Sequence, residues 1–127
     1  MYTDDEIITK VLDVAFDIHR QLGPGLFESV YEKIMEYELV QTLNFHVVRQ
    51  QPIPVYWKEM KIDVGFRTDL MVEEQILVEV KSIAAIAPVH KQQLLTHLRL
   101  TDLRRGILIN FNEALLKRGI CRMVNGY

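Results

Sequence analysis

The stretch Arg67-Thr68-Asp69-Leu70-Met71-Val72-Glu73-Glu74-Gln75-Ile76-Leu77-Val78-Glu79-Val80-Lys81 decides how the chain is read. Two apolar, β-prone runs, 62–72 and 76–81, flank the polar Glu73-Glu74-Gln75, the pattern of two strands joined by a turn. Alternate strand residues share a face. Leu77, Glu79 and Lys81 therefore point one way, and Ile76, Val78 and Val80 the other. A turn at Glu73-Glu74-Gln75 pairs Val72 with Ile76 and sets Asp69 opposite Glu79. In that register Val72, Leu70 and Thr68 join Ile76, Val78 and Val80 on a nearly apolar face. A turn one residue shorter would put Asp69 opposite Val78 and mix polar with apolar residues on both faces. A slip of one residue turns every side chain over, so burial selects the first register.

That register creates a chemical problem with a known solution. Two facing carboxylates repel unless a cation neutralises them. Hard oxygen donors call for Mg2+ or Mn2+. Glu79 and Lys81 project together, about 6.6 Å apart along the strand. The short pattern Asp…Glu-x-Lys also occurs on surface hairpins as an exposed ion pair. Here a third acid on an apolar helical face, Glu28, adds weight.

Working toward the N-terminus, Thr3 and Glu6 have the form of a capping box. Ile7, Ile8, Val11, Leu12, Ala15, Ile18 and Leu22 recur at helical spacing. Gly23-Pro24-Gly25 ends that helix. A second helix is predicted from Leu26 to Leu43, with Leu26, Phe27, Val30, Tyr31, Ile34, Met35 and Leu39 on its buried arc. Glu28 falls inside the arc between Met35 and Leu39, where an acid is costly unless paired. Ser29, Lys33 and Glu36 lie on the solvent side. Glu38 also falls within the arc but sits about 15 Å along the axis from Glu28, too far to share an ion.

Val47 to Trp57 is β-rich, and Pro52 and Pro54 confine it to a sheet edge or an irregular strand. Toward the C-terminus, a helix is predicted from Pro88 to Leu100, a buried strand over Gly106–Phe111, a helical turn near Glu113–Lys117 and a strand over Ile120–Val124. The fold class is α/β: an antiparallel three-strand meander, a helical crossover into a further strand of a mixed sheet, and flanking helices.

The 127 residues suit one domain, residues 1–127. Nothing is long and apolar enough to span a bilayer. The first six residues lack the character of a secretory signal. Cys121 is the single cysteine, so no intrachain disulfide forms and a cytoplasmic setting is expected. The net charge is −2, yet residues 1–50 hold nine acids against four Lys and Arg, while residues 81–127 hold two against eight. That asymmetry could make one basic face, or be an ordinary solvated surface. His19, His46, His90 and His97 lack zinc spacing. Gly23 and Gly25 do not follow a strand, as a dinucleotide loop would require. Cys121 reads as a structural thiol. Tyr56-Trp57 reads as core packing, with an exposed patch for stacking or a homodimer as the alternative.

Gly25-Leu26-Phe27-Glu28-Ser29-Val30-Tyr31 resembles the motif of the GxxExxY proteins, which are grouped with the PD-(D/E)XK, restriction-endonuclease-like nucleases. Similarity continues through Tyr31-Glu32, Tyr37-Glu38-Leu39, Pro52-Ile53-Pro54-Val55-Tyr56, Arg67-Thr68-Asp69-Leu70, Val78-Glu79-Val80-Lys81-Ser82, Ala87-Pro88-Val89-His90, Gln93-Leu94-Leu95-Thr96 and Gly106 to Phe111. The resemblance implies a restriction-endonuclease-like core and a nuclease acting on DNA, with RNA second. It implies Glu28, Asp69, Glu79, Lys81 and Gln93 as catalytic residues. Glu28, Asp69, Glu79 and the Val80 carbonyl would hold the cation. Gln93 matches a Gln-x-x-x-Tyr pattern, from which this chain departs by carrying His97. A nuclease should also show a basic groove, with Lys91, Arg99, Arg104 and Arg105 as candidates. The rival is a non-catalytic binding module that keeps the fold, favoured by small size and net acidity. A minimal domain is also compatible with a homodimer.

Overall fold

A computed structural model describes residues 1–126, apart from the side chain of Val64. Helix α1 spans Asp4–Leu22 and α2 Glu28–Gln41. Strands β1 (Val47–Trp57), β2 (Met60–Val72) and β3 (Ile76–Lys81) follow, then α3 (Pro88–Thr101), β4 (Arg105–Asn110), a 3-10 turn (Leu116–Gly119) and β5 (Ile120–Val124). Among the described residues the sheet has five strands in the order β1-β2-β3-β4-β5. Neighbours are antiparallel except β3 and β4, which α3 connects as a parallel pair. The architecture is the mixed α/β restriction-endonuclease-like one, with β1 and its prolines at the edge.

The sheet is packed on both faces, which is why β3 is buried along almost its whole length. On one face Ile7, Val11 and Ala15 of α1 and Tyr31, Met35 and Leu39 of α2 meet Leu70, Val72, Val78, Val80, Ile107 and Ile109. On the other, Leu94 and Leu98 of α3 cover Leu77 and Leu108. The capping box at the start of α1 is present, with Thr3 N to Glu6 Oε1 at 3.0 Å and Glu6 N to Thr3 Oγ1 at 3.2 Å. Gly23 ends α1 at φ 68°.

Several expectations need correction. Helix α2 starts at Glu28, because Phe27 is its extended N-cap residue. Leu26, Phe27 and Val30 are exposed, and the buried residues of α2 are Tyr31, Glu32, Met35 and Leu39. Leu22 is exposed at the end of α1. The 3-10 turn lies later than expected, at Leu116–Gly119. Glu36 is not simply solvated, since Arg49 Nε lies 3.4 Å from its Oε1. Tyr56 and Trp57 are exposed, so core packing is overturned there. The reason is geometric: β1 and β2 pair out to Trp57 and Met60, but β2 pairs with β3 only up to Leu70 and Val78. The outer part of the hairpin therefore has no third strand beneath it.

Candidate active site

The register derived from burial is the one observed: Val72 pairs with Ile76, Met71 with Leu77 and Leu70 with Val78. One step further, where Asp69 would face Glu79, the pairing stops. Asp69 Oδ2 instead accepts the amide of Val80 at 2.8 Å. Burial first, then the charge of Glu79, push the Asp69 pKa from the ordinary 3.8 up to about 7, against the pull of the Val80 amide. A hydrogen bond with Glu79 and the charge of Glu32 add to the rise.

Glu79 is only 6% exposed. Its Oε1 lies 2.9 Å from His97 Nδ1. A carboxylate can only accept, so Nδ1 is the donor and the ring is fixed in orientation. Phe66 of β2 stacks on that ring with centroids 3.9 Å apart and planes 9° apart. The ring at position 97 thus does what a tyrosine one helical turn after Gln93 could do: it packs and donates. Lys81 projects from the same face of β3, two residues beyond Glu79. Among the described residues its ammonium forms no ion pair.

The helix acid beside Asp69 is Glu32, one turn after Glu28. Glu32 is 4% exposed and accepts from Gln50 Nε2 at 2.7 Å and Arg49 Nη1 at 3.3 Å. Gln50 Nε2 also reaches Asp69 Oδ1 at 3.3 Å. Sequence reasoning singled out neither Glu32 nor Gln50. Glu32 carried a usable signal, because at 100° per residue it falls about 20° past Leu39, at the margin of the apolar arc of α2.

Glu28 sits elsewhere. Its Oε2 accepts the amide of Ser82 at 3.0 Å, and Ser82 Oγ donates to Leu26 O at 2.7 Å. The start of α2 is thereby latched to the residue after Lys81. Tyr31 secures the same loop, its hydroxyl donating to Gly23 O and accepting from Leu26 N while its ring stacks on Phe111 at 4.4 Å. Beyond Ser82, buried Asn110 holds Ile83 with a bond in each direction, at 3.1 and 3.0 Å. Gln93 is exposed on α3, and among the described residues no hydrogen bond ties it to the acids. The expected basic groove loses one member: Arg105 Nη1 is bonded to Asp5 Oδ1 at 3.1 Å. Lys91, Arg99 and Arg104 are exposed.

Among the described residues no three His, Cys, Asp or Glu side chains stand together as metal ligands. A pair is enough for a small hard cation, which usually keeps several waters and takes one or two carboxylates plus substrate oxygens. Asp69 and Glu79 suit such an ion chemically: a half-buried and a buried carboxyl, close enough that the charge of Glu79 helps raise the Asp69 pKa to about 7, are a place where a cation can replace the proton.

No helix among the described residues is long and apolar enough to cross a membrane. No curated protein and no solved structure matches the chain significantly. The profile of the PD-(D/E)XK nuclease superfamily does match, over residues 5–123. That match takes in nearly the whole chain, and so the chain belongs to the PD-(D/E)XK nuclease superfamily.

Proposed function

We propose that this chain is a magnesium- or manganese-dependent nuclease that hydrolyses phosphodiester bonds of DNA, with RNA the second choice. Nucleases of the superfamily generally use divalent metal ions. The observation that carries the reading is that half-buried Asp69, bonded to the Val80 amide, is brought beside buried Glu79, with Lys81 two residues past Glu79 on the same face of β3.

Asp69, Glu79 and the Val80 carbonyl would hold the cation, with Glu28 and Glu32 at greater remove. When bound, it would supply Lewis acidity to the phosphodiester and lower the pKa of water. Lys81 offers a positive charge to the phosphoryl oxygens, or orients the attacking water. His97 keeps Glu79 in one orientation through Nδ1. Gln93, exposed one turn earlier on α3, faces outward to a phosphate or water. In the net reaction water adds to phosphorus, the P–O bond to the leaving oxygen breaks, and that oxygen takes up a proton.

The likeness of residues 25–31 to the GxxExxY motif supports a closer placement within the superfamily, in a cytoplasmic setting. Exposed Tyr56, Trp57 and Met60 at the hairpin tip are compatible with a homodimer. The test is cleavage of single- and double-stranded DNA and of RNA with Mg2+ or Mn2+, comparing wild type with Lys81→Ala prepared in parallel. Divalent-dependent cleavage by wild type alone supports the reading. Equal cleavage by both proteins marks a contaminant. Failure of wild type to cleave, or to bind either ion, favours a non-catalytic module.

A further inference from the structure

Gln50 lies in the middle of β1 yet has φ 55°, the left-handed region that non-glycine residues rarely occupy. Its neighbours pair normally, Arg49 with Leu70 and Gln51 with Thr68. The residue between those partners is Asp69. The distortion therefore falls directly across from the site acid. Such backbone strain persists only where the surroundings impose it, and it clusters where side chains must be aimed.

The aim is visible. One amide nitrogen with two hydrogens donates to two carboxyls from different elements, Glu32 Oε1 of α2 at 2.7 Å and Asp69 Oδ1 of β2 at 3.3 Å. Carboxylates only accept, so the amide nitrogen must face them. Asp69 is then held at both oxygens, Oδ1 by Gln50 and Oδ2 by the Val80 amide. Arg49 Nη1 donates to the same Glu32 oxygen, Oε1, at 3.3 Å.

We propose that Gln50 is a positioning residue: its strained backbone places a carboxamide that ties Asp69 to Glu32 and sets the Asp69 carboxyl for cation binding. The cation-binding part of this proposal rests on the nuclease reading; the hold on Asp69 does not. Outer partners of metal ligands change affinity by about 10- to 100-fold when removed.

The test uses the full chain and two variants. Gln50→Gly relieves the backbone, and Gln50→Asn tolerates the left-handed conformation while its side chain is too short to bridge both acids. Amide hydrogen exchange at Val80, relative to Ile109, reads the hold on Asp69 without metal. Calorimetric titration with Mn2+ reads the consequence. The expected result is Val80 exchange at least about tenfold faster and Mn2+ bound about tenfold or more weakly in both variants, with the metal-free thermal midpoint of Gln50→Gly not lowered. Unchanged Val80 exchange overturns the proposal. Faster exchange with unchanged Mn2+ affinity overturns the role in cation binding. If wild type takes up no Mn2+, the nuclease reading and the role in cation binding fall together, and Val80 exchange alone still decides whether Gln50 holds Asp69.

Discussion

The Asp69 carboxylate and the Val80 amide meet at 2.8 Å at the point where β2 and β3 stop pairing, so a side chain takes over from the backbone ladder. The amide favours the charged form of Asp69, but burial and Glu79 outweigh it and bring the pKa to about 7. Unfolded, the same group titrates near 3.8. Between those values the folded chain binds more protons than the unfolded one. The stabilising effect of that proton is complete below the unfolded pKa and is lost as pH rises through the folded one. The metal-free protein should therefore gain stability on the order of 2–4 kcal/mol from this group between pH 8 and pH 5. Asp69→Asn should be more stable than wild type at pH 8 and lack this component. Thermal melts against pH check it; a wild type and variant with parallel pH profiles would contradict it.

A cation and a proton compete for the same pair of carboxyls. Taking Asp69 to titrate at about 7, Mn2+ affinity should fall about tenfold from pH 8 to pH 6, and binding should release about half a proton per ion at pH 7 and nearly one at pH 6. Calorimetry in two buffers of different ionisation enthalpy measures both. An affinity independent of pH would place the ion elsewhere.

Lys81 stands on the face of the acids without an ion-pair partner among the described residues. Lys81→Met should lower the cleavage rate by about 100-fold or more while leaving the fold and Mn2+ affinity nearly unchanged. Parallel rate and binding measurements separate this from loss of structure.

His97 both stacks on Phe66 and bonds Glu79. His97→Phe keeps the stack and removes the bond, so Mn2+ affinity should drop about tenfold with little change in stability. His97→Ala removes both and should also lower stability by about 1 kcal/mol. Equal Mn2+ binding in all three proteins would show that Glu79 needs no such support.

Gly119 lies against Asn110, where an added Cβ would stand 2.5 Å from the Asn110 carbonyl oxygen. Gly119→Ala should cost about 1–3 kcal/mol, because backbone must shift to admit it. Denaturant melts test this; a neutral result would mean that the 3-10 turn moves freely.

The strand register was legible because a period of two on a buried face leaves a single solution: Val72 can face Ile76 without exposing Val78 and Val80 only if Asp69 comes to Glu79. The helices were legible from their spacing and caps. The start of α2 was not, because Leu26 and Phe27 continue the apolar pattern while the Gly23–Phe27 loop, fastened by Tyr31, keeps them outside the helix. Glu28, the first residue of α2, accepts the Ser82 amide, and Glu32, one turn on, meets Gln50 beside Asp69. Gln50 was invisible for another reason: its role depends on a left-handed residue inside a strand, which no propensity foretells. The exposed hairpin tip, with Trp57 63% accessible, followed from where a third strand ends, a tertiary fact.

A crystal soaked in Mn2+ tests the central claim most directly, through the anomalous signal of the ion. The account predicts one strong peak within about 2.3 Å of a carboxylate oxygen of both Asp69 and Glu79. A peak bound elsewhere, or a saturating soak that leaves those two carboxyls sharing a proton, would contradict it.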